Sequence, residues 1–387
     1  MRRIIKFFSF LTIVVLTITI VVACNSRKDS AIFSNDNIDI TYKYGKIEFV
    51  DELMGDIYSE KFSNDDYSGF FFVSIQPDSL VYTFNTYKYL PDYSDAVLEL
   101  CRDSVCDHSV KESCIQSFGN IYYVVCTSDY TYFTKGNGVY RYSIESFTTE
   151  PYAVFNATVT NQFLMGKYLY IEIAASVYVK VDLESGKAVI LENIGAMMSC
   201  IYPYNGQLYF LDEANNIYIC DDNFENKKLL VTGRHFDCAI QASFQPFEDS
   251  VYYIDKGADE YNLCRYDLKT EKAEKLIDDV FAFCISPSGR LFYQKYDPSV
   301  GPLYNNGSEY VNVTCFTGKT IYYADLDDAI SPSVFIKNEF KETRLGESYM
   351  FATEKYLYVY IDEFNDGEME MVLYRINCFD PEWQRVA

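Results

Sequence analysis

Short apolar runs separated by Asp, Asn and Gly fill most of this chain. One clear instance is Gly206-Gln-Leu-Tyr-Phe-Leu-Asp212, followed by Asn216-Ile-Tyr-Ile-Cys-Asp221 and Lys227-Lys-Leu-Leu-Val231. Tyr, Val, Ile and Phe dominate the runs, and such residues suit a pleated surface. Asp, Gly, Ser and Thr dominate the breaks, where they tolerate left-handed backbone or bond their own main chain. The pattern therefore predicts strands joined by tight turns, and no stretch carries the periodicity of a helix of any length. Many runs are apolar at every position, as in Tyr356-Leu-Tyr-Val-Tyr-Ile361, which marks strands covered on both faces.

The runs recur. Ile121-Tyr-Tyr-Val, Leu169-Tyr-Ile-Glu, Leu208-Tyr-Phe-Leu, Val251-Tyr-Tyr-Ile, Leu291-Phe-Tyr-Gln and Leu357-Tyr-Val-Tyr start 48, 39, 43, 40 and 66 residues apart. They read as first strands of a repeated unit. Val139-Tyr-Arg-Tyr, Val177-Tyr-Val-Lys-Val-Asp, Ile217-Tyr-Ile-Cys-Asp, Leu263-Cys-Arg-Tyr-Asp and Leu373-Tyr-Arg-Ile-Asn read as second strands. Turns such as Asp182-Leu-Glu-Ser-Gly-Lys and Asp267-Leu-Lys-Thr-Glu-Lys lead into third strands. A period of about 40 built only from strands predicts an all-β β-propeller, because one four-stranded blade takes about 40–50 residues. A β-sandwich or a right-handed β-helix is the alternative. An earlier unit begins near Phe70-Phe-Phe-Val-Ser, and the longest gap holds an extra Thr320-Ile-Tyr-Tyr-Ala324. That gap is one blade with an insertion or two degenerate blades, so the count is about seven, with six or eight as rivals. A ring must close, so one of the segments within 38–66, such as Lys46-Ile-Glu-Phe-Val, is expected to pair with the last blade. The end of the chain, from Leu373 through Trp383, reads as a hairpin completing that blade.

Composition fits one large all-β domain: 387 residues, 49% hydrophobic and 17% aromatic, with 37 Tyr, 29 Phe and a single Trp. The net charge of −23 argues against nucleic acid, since phosphate binding needs a basic footprint. Strong acidity keeps a chain soluble and repels anionic surfaces.

The first residues differ from the rest. Arg2, Arg3 and Lys6 precede an apolar run from Phe7 to Val22, and Ala23-Cys24 follows. A basic start, an apolar segment and a small residue before the cut make a secretory signal. The run is short for a membrane span, which needs about 20 residues; an uncleaved anchor is the alternative and also leaves the body outside the cytoplasm. Val21-Val-Ala-Cys24 resembles the bacterial lipobox. That resemblance implies cleavage before Cys24 and lipidation of its thiol, with two or three acyl chains, palmitate among them, holding the protein on the membrane. Losing residues 1–23 removes Arg2, Arg3 and Lys6 and no acid, so −23 becomes −26. The expected organisation is a signal peptide at 1–23, a polar tether at 24–37 and the propeller domain at 38–387.

Cys101-Arg-Asp-Ser-Val-Cys106-Asp-His108-Ser-Val-Lys-Glu-Ser-Cys114 concentrates chemistry, with three thiols beside one of only two histidines. Three Cys and one His make a structural zinc set, because thiolate and imidazole suit a tetrahedral, borderline-soft ion. The spacing lacks a C-x-x-C pair. Outside the cytoplasm a disulfide competes, Cys106–Cys114 or Cys101–Cys106, and unmodified thiols in an anaerobe are a third option. In each case the cluster would pin a long connection between blades. Cys126, Cys200, Cys220, Cys238, Cys264, Cys284, Cys315 and Cys378 are scattered, as small buried hydrophobes are. With Cys24 lipidated, 11 of the 12 cysteines remain, and an odd number cannot pair fully.

Other motifs carry less. Gly318-Lys-Thr320 has Val313 where a phosphate loop needs Gly, and a strand follows it in place of a helix. There is no G-x-S-x-G elbow and no H-E-x-x-H, and His235 stands without a triad pattern. Acid pairs are plentiful: Asp221-Asp222, Asp278-Asp279, Asp327-Asp328 and Asp362-Glu363. Glycosidases need two carboxyls about 5–10 Å apart, and most of these acids fall where turns are expected. Asp366-Gly367 reads as a hairpin turn.

Taken together, the lipobox, the Tyr-Tyr strands with their Asp-x-x-x-Gly-Lys turns and the Cys-x4-Cys-x-His-x5-Cys segment resemble the lipid-anchored β-propellers of anaerobic gut bacteria. Ser286-Pro-Ser-Gly-Arg-Leu-Phe-Tyr also resembles the S-P-D-G motif of TolB-like propellers, with Ser288 in place of Asp. The resemblance implies fold and location, not a reaction. The function expected is an extracytoplasmic, lipid-anchored binding or assembly platform for a protein or glycan. The alternative is a glycan hydrolase or lyase using paired carboxylates at the channel of the ring. Carboxylates converging there would favour the enzyme, and an uncharged channel the platform.

Overall fold

The computed structural model describes residues 47–49 and, from 67 to 386, all but short stretches, the longest being 83–87, 109–113, 234–243, 297–316, 327–331 and 338–349. The signal peptide, Cys24 and the tether, and His235, Cys238, Cys315, Asp327 and Asp328, lie outside the described residues.

Thirty strands form seven antiparallel sheets. Two short strands come first, β1 (Ile47–Phe49) and β2 (Tyr67–Phe70). Blade 1 is β3 (Val73–Gln76), β4 (Ser79–Tyr82), β5 (Lys88–Pro91) and β6 (Leu98–Glu99). Blade 2 is β7 (Tyr122–Cys126), β8 (Tyr130–Lys135), β9 (Gly138–Ser143) and β10 (Thr149–Phe155). Blade 3 is β11 (Asn161–Met165), β12 (Tyr168–Ala174), β13 (Val177–Asp182) and β14 (Ala188–Leu191). Blade 4 is β15 (Ala196–Tyr204), β16 (Gln207–Asp212), β17 (Ile217–Cys220) and β18 (Lys228–Val231). Blade 5 is β19 (Phe244–Phe247), β20 (Ser250–Lys256), β21 (Tyr261–Asp267) and β22 (Lys272–Ile277). Blade 6 is β23 (Val280–Ile285), β24 (Arg290–Tyr296), β25 (Thr317–Asp325) and β26 (Ser333–Lys337). Blade 7 is β27 (Met350–Ala352), β28 (Tyr356–Asn365), β29 (Glu368–Asn377) and β30 (Trp383–Arg385). Among the described residues, the one helical element is a 3-10 turn at Ile115–Ser117.

First strands of consecutive blades lie against one another, β7 against β3 and β11, and so on to β23 against β27. They therefore line the axis of a seven-bladed propeller. Seven apolar clusters join seven pairs of blades, including the last with the first. Side chains on a strand point alternately to its two faces, and here each face meets a different neighbour. Leu208 and Phe210 pack toward blade 3, Tyr209 and Leu211 toward blade 5. Leu357 and Val359 pack toward blade 6, Tyr356 and Tyr358 toward blade 1. Leu208–Leu211 and Tyr356–Tyr360 are buried at every position, which is why these runs are apolar without alternation. A fully buried Leu, Ile or Val side chain contributes roughly 1.5–3 kcal/mol, so each seam is held mainly by these clusters.

Three readings of the sequence are corrected. The recurrent aromatic runs at Leu169, Leu208, Val251, Leu291 and Leu357 are second strands of their blades, and only the run at Ile121 falls on a first strand. The wide gap before Leu357 is a single blade, with Thr320–Ala324 in its third strand. The segment Ile47–Phe49 pairs with β10 at the outer edge of blade 2, with Glu48 opposite Val154, and not with the last blade. Blades 1 and 7 are each built from contiguous chain. Among the described residues the ring therefore closes through side chains, with no strand exchanged between its two ends. The C-terminal hairpin is as expected, with Ile376 opposite Trp383.

Third strands repeat a buried or half-buried cation. Arg141 in β9 stands opposite Glu150 and bonds it at 2.8 Å. Arg265 in β21 stands opposite Glu274 and pairs with it. Arg375 in β29 stands opposite Gln384 and bonds it at 2.7 Å. In β13 the facing residue is Val189, and Lys180 reaches instead to Asp222 of blade 4 at 2.5 Å.

Candidate functional site

Cys101, Cys106, His108 and Cys114 converge, as their spacing suggested. One ligand atom from each lies within 4.8 Å of all the others. They sit in the connection 100–121, which runs from the outer strand β6 to the inner strand β7. Cys101 and Cys114 are buried in the apolar cluster between blades 1 and 2, with Leu100, Ile115, Ile121 and Val124. Local chemistry folds the rest back toward them. The Asp103 carboxylate accepts the Val105 N–H at 3.0 Å, and its carbonyl accepts the Cys106 N–H at 3.1 Å. A single 3-10 turn follows Cys114, whose carbonyl accepts from Ser117 N–H at 3.1 Å and Ser117 Oγ at 3.0 Å. His108 has φ of 55°, a left-handed conformation that few non-glycine residues adopt. Its Nδ1 lies 3.5 Å from Cys114 Sγ.

Cys101, Cys106 and Cys114 are free cysteines in this structure. Burial pushes the Cys101 thiol up to about 11, and the neighbouring Cys114 and Cys106 sulfurs push in the same direction. The Asx turn at Asp103, which brings the first half of the segment back on itself, went unread; Asp followed by Ser is its signal.

The axis is chemically different. The inner strands β3, β7, β11, β15, β19, β23 and β27 contain no Asp, Glu, Lys, Arg or His, and neither does β2. β2 pairs with β3 and also lies against β7, β11 and β15. A piece of the chain thus runs inside the ring, along the inner strands of blades 2 to 4. Neutral amides join the inner strands. Gln245 Nε2 donates to the Ile285 carbonyl at 2.9 Å, and its Oε1 accepts the Ile285 N–H at 2.9 Å.

The described acid pairs are elsewhere. Asp221 follows β17 and accepts the N–H groups of Asn223 and Glu225 at 3.0 and 2.8 Å. Asp222 accepts from Lys180 across the seam between blades 3 and 4, and its carbonyl accepts from Tyr170 OH at 2.7 Å. Asp278 and Asp279 are exposed in the turn between β22 and β23. Asp362 and Glu363 lie within β28, and Gly318-Lys-Thr320 within β25. Asp366 and Gly367 are outside the described residues, between the paired Asn365 and Glu368. Asp182, Asp212 and Asp267 each end a strand and accept two N–H groups of the turn that follows. At Ser286 the hydroxyl accepts the Arg290 N–H at 3.1 Å, and Gly289 takes φ of 82°.

No family model matches the chain, and no curated protein matches it. Solved structures align with about two thirds of the chain at low identity. A nidogen/laminin complex aligns at 9% identity and TM-score 0.40, covering 66% of this chain and 92% of that one. YCF48 bound to a D1 peptide aligns at 11% and 0.40, covering 66% and 77%. The Cps50 (Swd1) β-propeller domain of Myceliophteria thermophila aligns at 13% and 0.41, covering 66% and 82%.

Proposed function

We propose that this chain is a lipid-anchored envelope protein, held by Cys24 on the extracytoplasmic side of a bacterial membrane, whose propeller is a docking platform for a protein partner. The observation that carries the platform reading is that the described inner strands, and β2 alongside them, contain no charged residue. Acid–base hydrolysis needs convergent carboxyls, and the described acid pairs with placed side chains serve turns or a seam instead. The two faces of the ring also differ. The longest connections between strands of the blades, 100–121, 232–243, 297–316 and 338–349, all leave from the face where fourth strands hand over to first strands and second strands to third. Binding residues concentrate on loops held by a rigid scaffold. Val105, on that face, is 82% exposed and fixed by the Asp103 turn, a placement suited to an apolar contact. What supports the anchor is the sequence of residues 1–24 alone. Among the described residues no helix is long and apolar enough to cross a membrane.

The test is affinity capture with the full chain in its native envelope after mild cross-linking. Recovery of one protein, lost when Val105 and its neighbours on that face are substituted by Glu or Lys, supports the platform. Recovery of polysaccharide alone replaces the protein partner by a glycan. Metabolic labelling with a palmitate analogue checks the anchor, and label retained in Cys24→Ala would refute it.

A further inference from the structure

The geometry points to one structural Zn²⁺ held by Cys101, Cys106, His108 and Cys114, clamping the connection between blades 1 and 2. A tetrahedral zinc with Zn–S of about 2.3 Å and Zn–N of about 2.0 Å sets its sulfurs about 3.8 Å apart and its nitrogen about 3.5 Å from each sulfur. The separation of 3.5 Å between His108 Nδ1 and Cys114 Sγ already has that length. The remaining separations, none above 4.8 Å, close by small side-chain rotations. All four donors come from protein, so the tetrahedron is complete and leaves no open position, as structural zinc sites require.

Burial argues the same way. Cys101 and Cys114 belong to the apolar cluster that joins blades 1 and 2, while Cys106 and His108 are half-buried. Two ligands are thus rooted in the core and two come from the exposed part of the segment, which the ion draws down onto the seam. His108 holds a left-handed backbone, a strained state that persists where the surroundings enforce it. Three thiols lose their protons to solvent on binding, and three thiolates with neutral imidazole and Zn²⁺ leave a net charge of −1. A disulfide would use two of the three sulfurs and leave the third, with the imidazole, unexplained.

The measurement is metal content of the full chain, purified in detergent under anaerobic conditions without chelator. About one zinc per chain is expected, as for a closed four-ligand site. It should fall at least ten-fold in Cys106→Ser and in His108→Ala, both substitutions at half-buried positions. The wild-type protein reconstituted with Co²⁺ should show thiolate-to-cobalt charge transfer and the visible bands of a tetrahedral site, a readout that does not depend on any variant. Wild-type protein that holds no zinc and takes up neither Zn²⁺ nor Co²⁺ under reducing conditions would overturn the assignment. So would a disulfide mapped within 101–114 after rapid alkylation. Neither result bears on the docking platform, which is tested by capture.

Discussion

Asp92 and Thr353 are 261 residues apart in the chain and meet across the seam between blades 1 and 7, where Thr353 Oγ1 donates to the Asp92 carboxylate at 2.7 Å. The other carboxylate oxygen accepts the Lys355 N–H at 2.8 Å. Asp95, from the same turn, accepts from Tyr356 OH and Lys355 Nζ, and its carbonyl accepts from Arg375. One turn of blade 1 therefore grips the turn between β27 and β28. Thr353→Val should destabilise the fold by about 1–2 kcal/mol, the scale of a lost bond to a charged group. Urea unfolding of the variant, followed by tyrosine fluorescence, checks this, and a midpoint equal to wild type would contradict it.

Arg375 is fully buried, with its guanidinium over the Tyr356 ring at 4.7 Å and its Nε on Gln384. Arg375→Ala removes packing and polar contacts together, and about 2–4 kcal/mol is expected from losses of that kind in a core. Arg375→Lys should recover only a minor part, because an ammonium cannot reproduce the planar fork. Hydrogen exchange should show the loss concentrated in blade 7; a uniform loss would argue against a seam role.

Two buried glutamines should respond in opposite ways. Gln245→Leu strands the N–H and C=O of Ile285, and each unsatisfied buried group costs about 1–3 kcal/mol. Gln294 is also buried, yet among the described residues neither its Nε2 nor its Oε1 has a hydrogen-bond partner. Gln294→Leu should be neutral or stabilising. Thermal unfolding of the pair decides it, and equal destabilisation by both would show that Gln294 is satisfied in solution.

Protonation of the turn aspartates should be visible in stability. Burial opposes ionisation of Asp182, but N–H groups of Ser185 and Glu184 and the Lys167 ammonium outweigh it and hold the carboxyl below its ordinary range. A carboxyl lowered in the folded state contributes stability above its unfolded pKa and loses it as pH falls through the folded value. Asp182→Asn keeps the turn-forming carbonyl and removes the charge. The gap between wild type and variant should be constant from neutral pH down to the ordinary aspartate range and close below it. A gap that persists in strong acid would assign the effect to something other than charge.

Cys220, Cys264, Cys284 and Cys378 are buried thiols. Burial pushes Cys264 up to about 11 and Cys220 and Cys378 up to about 12, and it raises Cys284 well above the ordinary thiol range. Since the thiolate is the reactive form, these four should resist alkylation in the native protein and react on unfolding. Peptide mapping after brief iodoacetamide treatment reads this directly; labelling of any of them in the folded state would contradict it.

The blade count was legible because the second strands of blades 3, 4, 5 and 7 repeat Leu-Tyr or Val-Tyr, a signature that survives where each face meets a neighbouring blade. The phase was not legible. Inner strands such as Asn161-Gln-Phe-Leu-Met and Phe244-Gln-Pro-Phe share no pattern, because axis-lining positions need only be uncharged. The Cys101–Cys114 cluster was legible because all four side chains lie in one short segment. The grip of Asp92 and Asp95 on blade 7 was not, because nothing in a local pattern says which distant turn an aspartate will meet. The position of Ile47–Phe49 was misread for a related reason: closure was assigned to a strand, while packed tyrosines and a turn perform it.

The attachment of β1 has a mechanical consequence. A pull applied to the N-terminal end of the chain does not load the blades directly. It first meets the three-residue ladder from Ile47–Phe155 to Phe49–Ala153, and then β2 on its inner track beside β3. The seam between blades 1 and 7, lying downstream of both, is shielded from tension until these two weaker attachments have given way.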